Sequence, residues 1–354
     1  MPHLTDMFHD QNAASRAVDT VGATSATAFD HDVFLAELGQ RILGQPDAVA
    51  AVARALSIAR AGITDPGRPL ASILLVGPTG VGKTELVRQV AAEIRTGPDD
   101  LCRIDMAALA QEHYAASFSG APPGYAGSKE SFTLFDKNKI EGDAYTPGIV
   151  LFDEVEKADA TVIRALLHVL DSGELRLANG RERISFRNSY VFMTSNLGSR
   201  DVAAAQRADR NSSSRWRRRR GSRSPDRADA MVAAAVESFF DPEFFNRIDE
   251  TVVMKAFDAS TAQQVTMREV DLFTARLARE SVDLRLDPSV IEFLHDRGFD
   301  PVYGARGLRR TIRMHLVAPT AACVLRSRAA STTPITVVAA VVDGAVEVGL
   351  VPTS

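Results

Sequence analysis

The 354-residue sequence predicts an α/β chain in which a parallel sheet is set between helices, followed by a smaller, mainly helical domain with a terminal β-hairpin. Three observations carry that expectation. Ser72 to Val76, Ile149 to Phe152 and Tyr190 to Met193 are short continuous apolar runs of the kind that form strands covered on both faces. The first run enters Gly77-Pro78-Thr79-Gly80-Val81-Gly82-Lys83-Thr84, after which Leu86, Val87, Val90, Ala91 and Ile94 recur at helical spacing. Beyond Val252-Val253-Met254 the pattern turns helical and ends in alternation from Val337 to Leu350 around Asp343-Gly344.

Taken in order, residues 1–31 are rich in Ala, Thr, Ser and Asp without periodicity and read as a mobile tail. From Asp32 an amphipathic stretch leads through Arg41-Ile42-Leu43-Gly44-Gln45 to an alanine-rich helix over Asp47 to Ala61, which a turn at Asp65-Pro66-Gly67 separates from the first strand. Val162, Leu166, Leu167 and Leu170 mark a helix between the second and third strands, followed by a hairpin turning at Asn179-Gly180. Asp258 to Arg279 reads as a helix. Asp287, Pro288 and Gly298 supply the cap, first-turn proline and stop of another, and a third begins near Gly304. The expected division is a large domain over 32–255, with a basic disordered insert at about 203–230, and a small domain over 256–354.

Composition excludes several classes. Hydrophobic content of 45% and charged content of 24% are ordinary for a globular protein. No apolar stretch approaches the roughly 18 residues that span a bilayer, and the N-terminus lacks the features of a signal peptide, so the cytoplasm is the expected location and no membrane contact is expected. The two cysteines and seven histidines show no metal-ligand spacing, which predicts free thiols and no structural zinc. A net charge of -4 conceals a local +7 at residues 207–227, where nine arginines meet Asp209 and Asp226; the rest of the chain stands near -11.

The glycine loop is a complete phosphate loop, G-x-x-x-x-G-K-[ST], and predicts binding of ATP or GTP. Its glycines let backbone N–H groups curl around phosphates, Lys83 reaches the terminal phosphates, Thr84 binds Mg²⁺ through its hydroxyl, and the helix N-terminus adds positive potential. Asp153 ends its strand about 70 residues on and is suited to hold Mg²⁺ through water, while Glu154 is suited to polarise the attacking water. Asn196, ending the neighbouring strand, is placed to hydrogen-bond that water or the γ-phosphate.

Seven motifs then occur in one order: Arg41 to Gln45, the loop with its following Glu85-Leu86, Gly120-Ala121-Pro122-Pro123-Gly124-Tyr125, Leu151 to Lys157, Met193 to Ser199, Phe245-Asn246-Arg247-Ile248-Asp249-Glu250, and Tyr303-Gly304-Ala305-Arg306. In this the chain resembles the second ATPase module of the Clp-type AAA+ unfoldases, the ClpA and ClpB chaperones, from about Asp32 to Leu350 with an interruption near 203–230. The resemblance implies a P-loop AAA+ domain, homo-hexameric rings and ATP held between neighbours. Arg247 then matches the finger that reaches a neighbour's γ-phosphate, Arg306 the sensor arginine acting in cis, and Ile42 and Leu43 the segment beside the adenine. Gly124-Tyr125-Ala126-Gly127 matches the pore loop, whose aromatic grips a polypeptide substrate; flanking glycines give such a loop mobility.

Departures accompany the likeness. The second ATPase module, N-terminal substrate domain and coiled-coil insert of those chaperones have no counterpart in this sequence. The protease-docking tripeptide Ile-Gly-Leu or Ile-Gly-Phe is not found between Asn196 and Arg247, and Val348-Gly349-Leu350 falls in the expected hairpin, which favours remodelling without a protease. The tract from Arg215 to Pro225 is either a solvated loop or a binder of nucleic acid or acidic partners. Two functional readings follow: an ATP-driven unfoldase or remodeller that threads polypeptide past Tyr125, and a nucleotide-switched scaffold whose ring threads nothing. A third, a nucleic-acid motor, is weakly supported by Lys129 near the pore loop and left open by the arginines from 215 to 223, while the likeness to Clp motifs opposes it.

Overall fold

The computed structural model describes residues 29–110, 134–143, 145–176, 183–199, 225–299, 305–328 and 335–351. Helices α1 (His31–Arg41) and α2 (Pro46–Arg60) lead into β1 (Ala71–Val76), α3 (Lys83–Ile94), β2 (Cys102–Asp105) and the short α4 (Lys137–Glu141). Next come β3 (Gly148–Asp153), α5 (Ala160–Ser172), β4 (Glu174–Arg176), β5 (Arg183–Ser185) and β6 (Ser189–Ser195). Then follow α6 (Pro225–Phe239), the single turn α7 (Pro242–Phe245) and β7 (Glu250–Val253).

Strands β2, β3, β6, β1 and β7 pair in that order, all parallel. Both faces are covered, because alternate residues of each strand point to opposite sides. Ile73, Leu75, Ile149, Leu151, Tyr190 and Phe192 pack with α2 and α3, while Leu74, Val76, Val150, Phe152, Val191 and Met193 pack with Val162, Leu166 and Leu170 of α5. Every residue of β1, β3 and β6 is buried, which is why these strands read as unbroken apolar runs.

The remainder comprises α8 (Ala259–Arg279), β8 (Val282–Leu286), α9 (Pro288–Gly298), α10 (Ala305–Ile312), a π turn over Arg313–Val317, α11 (Ala318–Arg328), β9 (Ile335–Val342) and β10 (Ala345–Leu350). Their core, including Phe273, Leu284, Leu294, Leu308, Leu316 and Val337, shares no residue with the two sheet-face cores. Aspartates start the helices as expected: Asp258 accepts from the Thr261 amide at 2.7 Å, and Asp287 accepts from the Ser289 amide at 2.9 Å ahead of Pro288. Asp343 and Gly344, both at positive φ, turn the terminal hairpin, and Val348-Gly349-Leu350 lies in β10.

Several details depart from the sequence reading. The terminal hairpin is part of a three-stranded mixed sheet, because β8 pairs in parallel with β9; β2 likewise adds an unanticipated edge to the main sheet. Helix α6 starts at Pro225, so residues 225–230 are helical where a disordered insert was expected; a first-turn proline followed by an alanine-rich run favours that helix. Residues 29–31 are ordered, because Asp30 caps α1 and Phe29 packs 5.2 Å from Phe34. The turn expected at Asn179-Gly180 lies outside the described residues, although β4 and β5 on either side pair antiparallel. Cys102 and Cys323 are buried free thiols, and burial pushes the Cys102 thiol up. No described helix is long and apolar enough to cross a membrane.

The lead-in helices meet the chain around the start of α8 at Gly44-Gln45. The Gln45 carboxamide donates to the Lys255 carbonyl at 2.8 Å and accepts from its amide at 3.0 Å. Gly44 has φ +70°, and a Cβ there would come within 2.3 Å of Thr261 in α8, so the position admits glycine and little else. The lead-in helices are thereby fixed to the chain just before α8.

Candidate nucleotide-binding site

The phosphate loop leaves the carboxyl end of β1, between β6 and β7, and returns as α3. Gly77, Gly80 and Gly82 have φ of 152°, 81° and 100°, and a Cβ on Gly77 would sit 2.3 Å from the Met254 carbonyl oxygen. Val81 anchors the loop in the core beneath. Lys83 is 8% exposed; its ammonium donates to the Gly77 and Pro78 carbonyls at 2.6 and 2.8 Å and to Asn196 Oδ1 at 2.8 Å. Burial lowers the Lys83 pKa to about 8, against the opposing pull of Glu156, Asp153 and Glu154.

Strands β3 and β6 bring the acids to this loop. Asp153 Oδ1 accepts from Thr194 Oγ1 at 2.5 Å and from Thr84 Oγ1 at 3.5 Å, while its Oδ2 takes Nε and Nη2 of Arg103 at 3.1 and 2.5 Å. Thr194 Oγ1 also accepts the Glu154 amide at 2.9 Å, which holds the two acidic residues in register. Glu154 has φ +60° and ψ +55°, an uncommon conformation for a residue with a side chain, at the point where the strand turns into the Val155–Lys157 helical turn. Asn196 closes the group: its Nδ2 donates to Glu154 Oε1 at 3.2 Å, and its Oδ1 accepts from Thr79 Oγ1 at 3.3 Å as well as from Lys83.

From the start of α10, the Ala305 amide donates to the Gly80 carbonyl at 3.1 Å, and the positive charge of the adjacent Arg306 acts on Lys83. Arg247 lies elsewhere. Its carbonyl accepts from Arg68 and Ser72 at 2.7 and 2.8 Å near the start of β1, and its guanidinium is 3.0 Å from Asp171 at the end of α5. Ser72 and Gly77 are five residues apart along an extended strand, about 16 Å at strand rise, so Arg247 is remote from its own phosphate loop. Ile42 is buried in the same core as Val81, and Leu43 is half-buried beside it. Tyr125, with Gly120 to Gly127, and Tyr303-Gly304 lie outside the described residues, as do the arginines from 215 to 223.

Sequence reasoning missed Arg103, Thr194 and Glu156. Thr194 ends an apolar strand beside Asn196, a signal available in the sequence; Arg103 is reached only once β2 is paired beside β3. The oxygens of Thr84 and Asp153 suit Mg²⁺, a hard cation that takes oxygen ligands and binds commonly through one or two protein groups plus phosphates.

A parallel five-stranded sheet with a phosphate loop, paired acids at a strand end and a second, helical unit touching the loop defines a P-loop nucleotide-binding protein of the AAA type. The sequence matches the AAA domain (Cdc48 subfamily) over residues 68–251 and the C-terminal, D2-small domain of ClpB protein over 257–337. An "ATP-dependent protease ATP-binding subunit-like protein" of Rhodococcus erythropolis is 61% identical over 99% of this chain and 100% of its own length. Chaperone protein ClpB 1 of Synechococcus elongatus is 38% identical over 82% of this chain and 31% of its own. A closed-state reconstruction of Hsp104 with ATPγS and FITC casein superposes with a TM-score of 0.73 at 27% identity, covering 91% of this chain and 52% of that one. The chain belongs to the Clp-type AAA+ family of ATPases. It spans about a third of the ClpB chain and half of the Hsp104 chain.

One expectation follows from Lys83. The free site loses its lysine proton at about 8, whereas a bound triphosphate holds that proton, so binding above pH 8 takes one up. Affinity for a fluorescent ATP analogue will be flat below about pH 7.5 and will weaken toward tenfold per unit as pH rises past 8. A flat profile to about pH 9.5 would contradict it.

Proposed function

We propose that this chain is an ATP-hydrolysing remodeller or unfoldase that assembles into a homo-hexameric ring and threads polypeptide past Tyr125, acting without a partner protease. The proposed units are a large ATPase domain over 32–255 and a small domain over 256–354. The observation that carries the reading is the division of labour between two ends of one sheet. Lys83, Asp153, Glu154 and Asn196 converge at the carboxyl ends of β1, β3 and β6, while Arg247 stands at the amino end of β1. A site lacking its own finger is completed by a neighbour's.

In this reading the loop amides and Lys83 bind the triphosphate, exchanging the lysine's present contacts with Gly77 and Pro78 for phosphate oxygens. Glu154 orients the attacking water and accepts its proton, Asn196 holds the water or the γ-phosphate, and Arg306 adds positive charge in cis. Thr84 and Asp153 would hold Mg²⁺, which when bound neutralises phosphate charge. Ile42 and Leu43 flank the adenine. Movement of the second unit, bonded to the loop through Ala305 and Gly80, couples the nucleotide state to the ring. The name of the Rhodococcus relative refers to a protease subunit; the missing docking tripeptide between Asn196 and Arg247 weighs the other way here.

The test is steady-state ATP turnover with and without an unfolded polypeptide, in the wild type and Tyr125→Ala. Stimulation by polypeptide that disappears in Tyr125→Ala is the expected result. Turnover indifferent to both would sink threading and leave a nucleotide-switched scaffold.

A further inference from the structure

Glu156, two residues beyond Glu154, approaches Asn196 at two points. Its Oε1 accepts from the Asn196 backbone amide at 3.1 Å and from the carboxamide Nδ2 at 3.3 Å. The left-handed Glu154 makes this possible, because it turns the chain so that Glu154 and Glu156 both face the end of β6. Which way the Asn196 carboxamide points is then dictated by its partners. Carboxylates only accept and an ammonium only donates, so Nδ2 must face the two glutamates and Oδ1 must face Lys83. With Glu156 absent, one of the two acceptors that define the orientation is lost, together with the tether on the backbone.

The charge of Glu156 is not consumed by that tether. Its Oε2 is buried without a hydrogen-bond partner among the described residues, an arrangement that an uncharged acceptor would serve at lower cost if the role were only to hold the turn. Among the carboxylates that support the protonated Lys83, Glu156 contributes most. Both observations connect Glu156 to the Lys83 and Asn196 pair.

We propose that Glu156 is a positioning residue that fixes the Asn196 carboxamide between Lys83 and Glu154, and so governs ATP hydrolysis without touching the nucleotide. The proposal rests on the assignment of Asn196 to the reacting water or phosphate. It predicts that Glu156→Ala lowers turnover at least tenfold while the Kd for a fluorescent ATP analogue stays within about threefold. Glu156→Gln, which keeps an acceptor for both Asn196 donors, should recover part of that loss.

A double-variant cycle with Asn196→Ala, run on the full chain, decides the matter. If Glu156 acts through Asn196, the double variant is no slower than the slower single variant; losses that multiply would overturn the proposal, as would Glu156→Ala turnover within twofold of wild type. Thermal midpoints of all variants accompany the rates, and if Glu156→Ala does not fold, the cycle is run with Glu156→Gln. A wild-type chain that binds the analogue without hydrolysing ATP would count against the function proposed above. The NMR signals of the Asn196 side-chain amide, which need no turnover, would then decide the Glu156 link: signals that shift or broaden in Glu156→Ala support it, and signals unchanged from wild type overturn it.

Discussion

Converting Glu154 to glutamine will lower ATP turnover about 10³-fold and leave the affinity for ATP within about threefold. Glutamine has nearly the same shape, and its oxygen can still accept from Asn196 Nδ2, which now lies 3.2 Å from the carboxylate. The amide cannot take a proton from water, and a positioned general base contributes roughly 10² to 10⁴ in rate. Phosphate release measures the loss, and titration with a fluorescent analogue measures the retained binding. A loss under tenfold would remove Glu154 from the reaction. Loss of binding instead would mean that the left-handed turn at Glu154 does not survive the change.

Arg247→Ala will reduce turnover by a similar factor, since an arginine finger contributes about 10³ to 10⁵ in comparable phosphoryl transfers. Affinity for nucleotide should barely change, because the side chain rests near Asp171, far along β1 from its own loop. That ion pair joins two half-exposed groups and is a weak parking place, its Nε–H not aligned on the carboxylate. The discriminating experiment mixes Arg247→Ala with Glu154→Gln subunits. The first supplies an intact Glu154 and the second an intact Arg247, so activity should reappear in mixtures of two inactive proteins. A mixture as inactive as its parts would exclude a finger supplied by a neighbour.

What was legible in the sequence was local. Asp153, Glu154 and Asn196 sit at the ends of strands whose every residue is buried, and Lys83 and Thr84 follow such a strand through the glycine loop; such runs announce themselves. Strand β8, Val-Asp-Leu-Arg-Leu, alternates buried and exposed residues directly after a 21-residue helix, and its period of two was overlooked beside the helical pattern. Strand β2 has only four residues with the same alternation. The links from Arg103 to Asp153 and from Glu156 to Asn196 cross separations of 50 and 40 residues, and no spacing rule encodes them. Arg306 was found by resemblance to a motif; the bond between Ala305 and Gly80 that brings it to the loop required the fold.

That single backbone bond has a kinetic meaning. The unit fastened to Gly80 has its own core, so undoing that bond displaces a whole lobe rather than flipping a side chain. Collective motions of that size run in microseconds to milliseconds. Any change of the loop that breaks the bond between Ala305 and Gly80 is therefore paced by friction on a moving mass rather than by the rotation of a side chain.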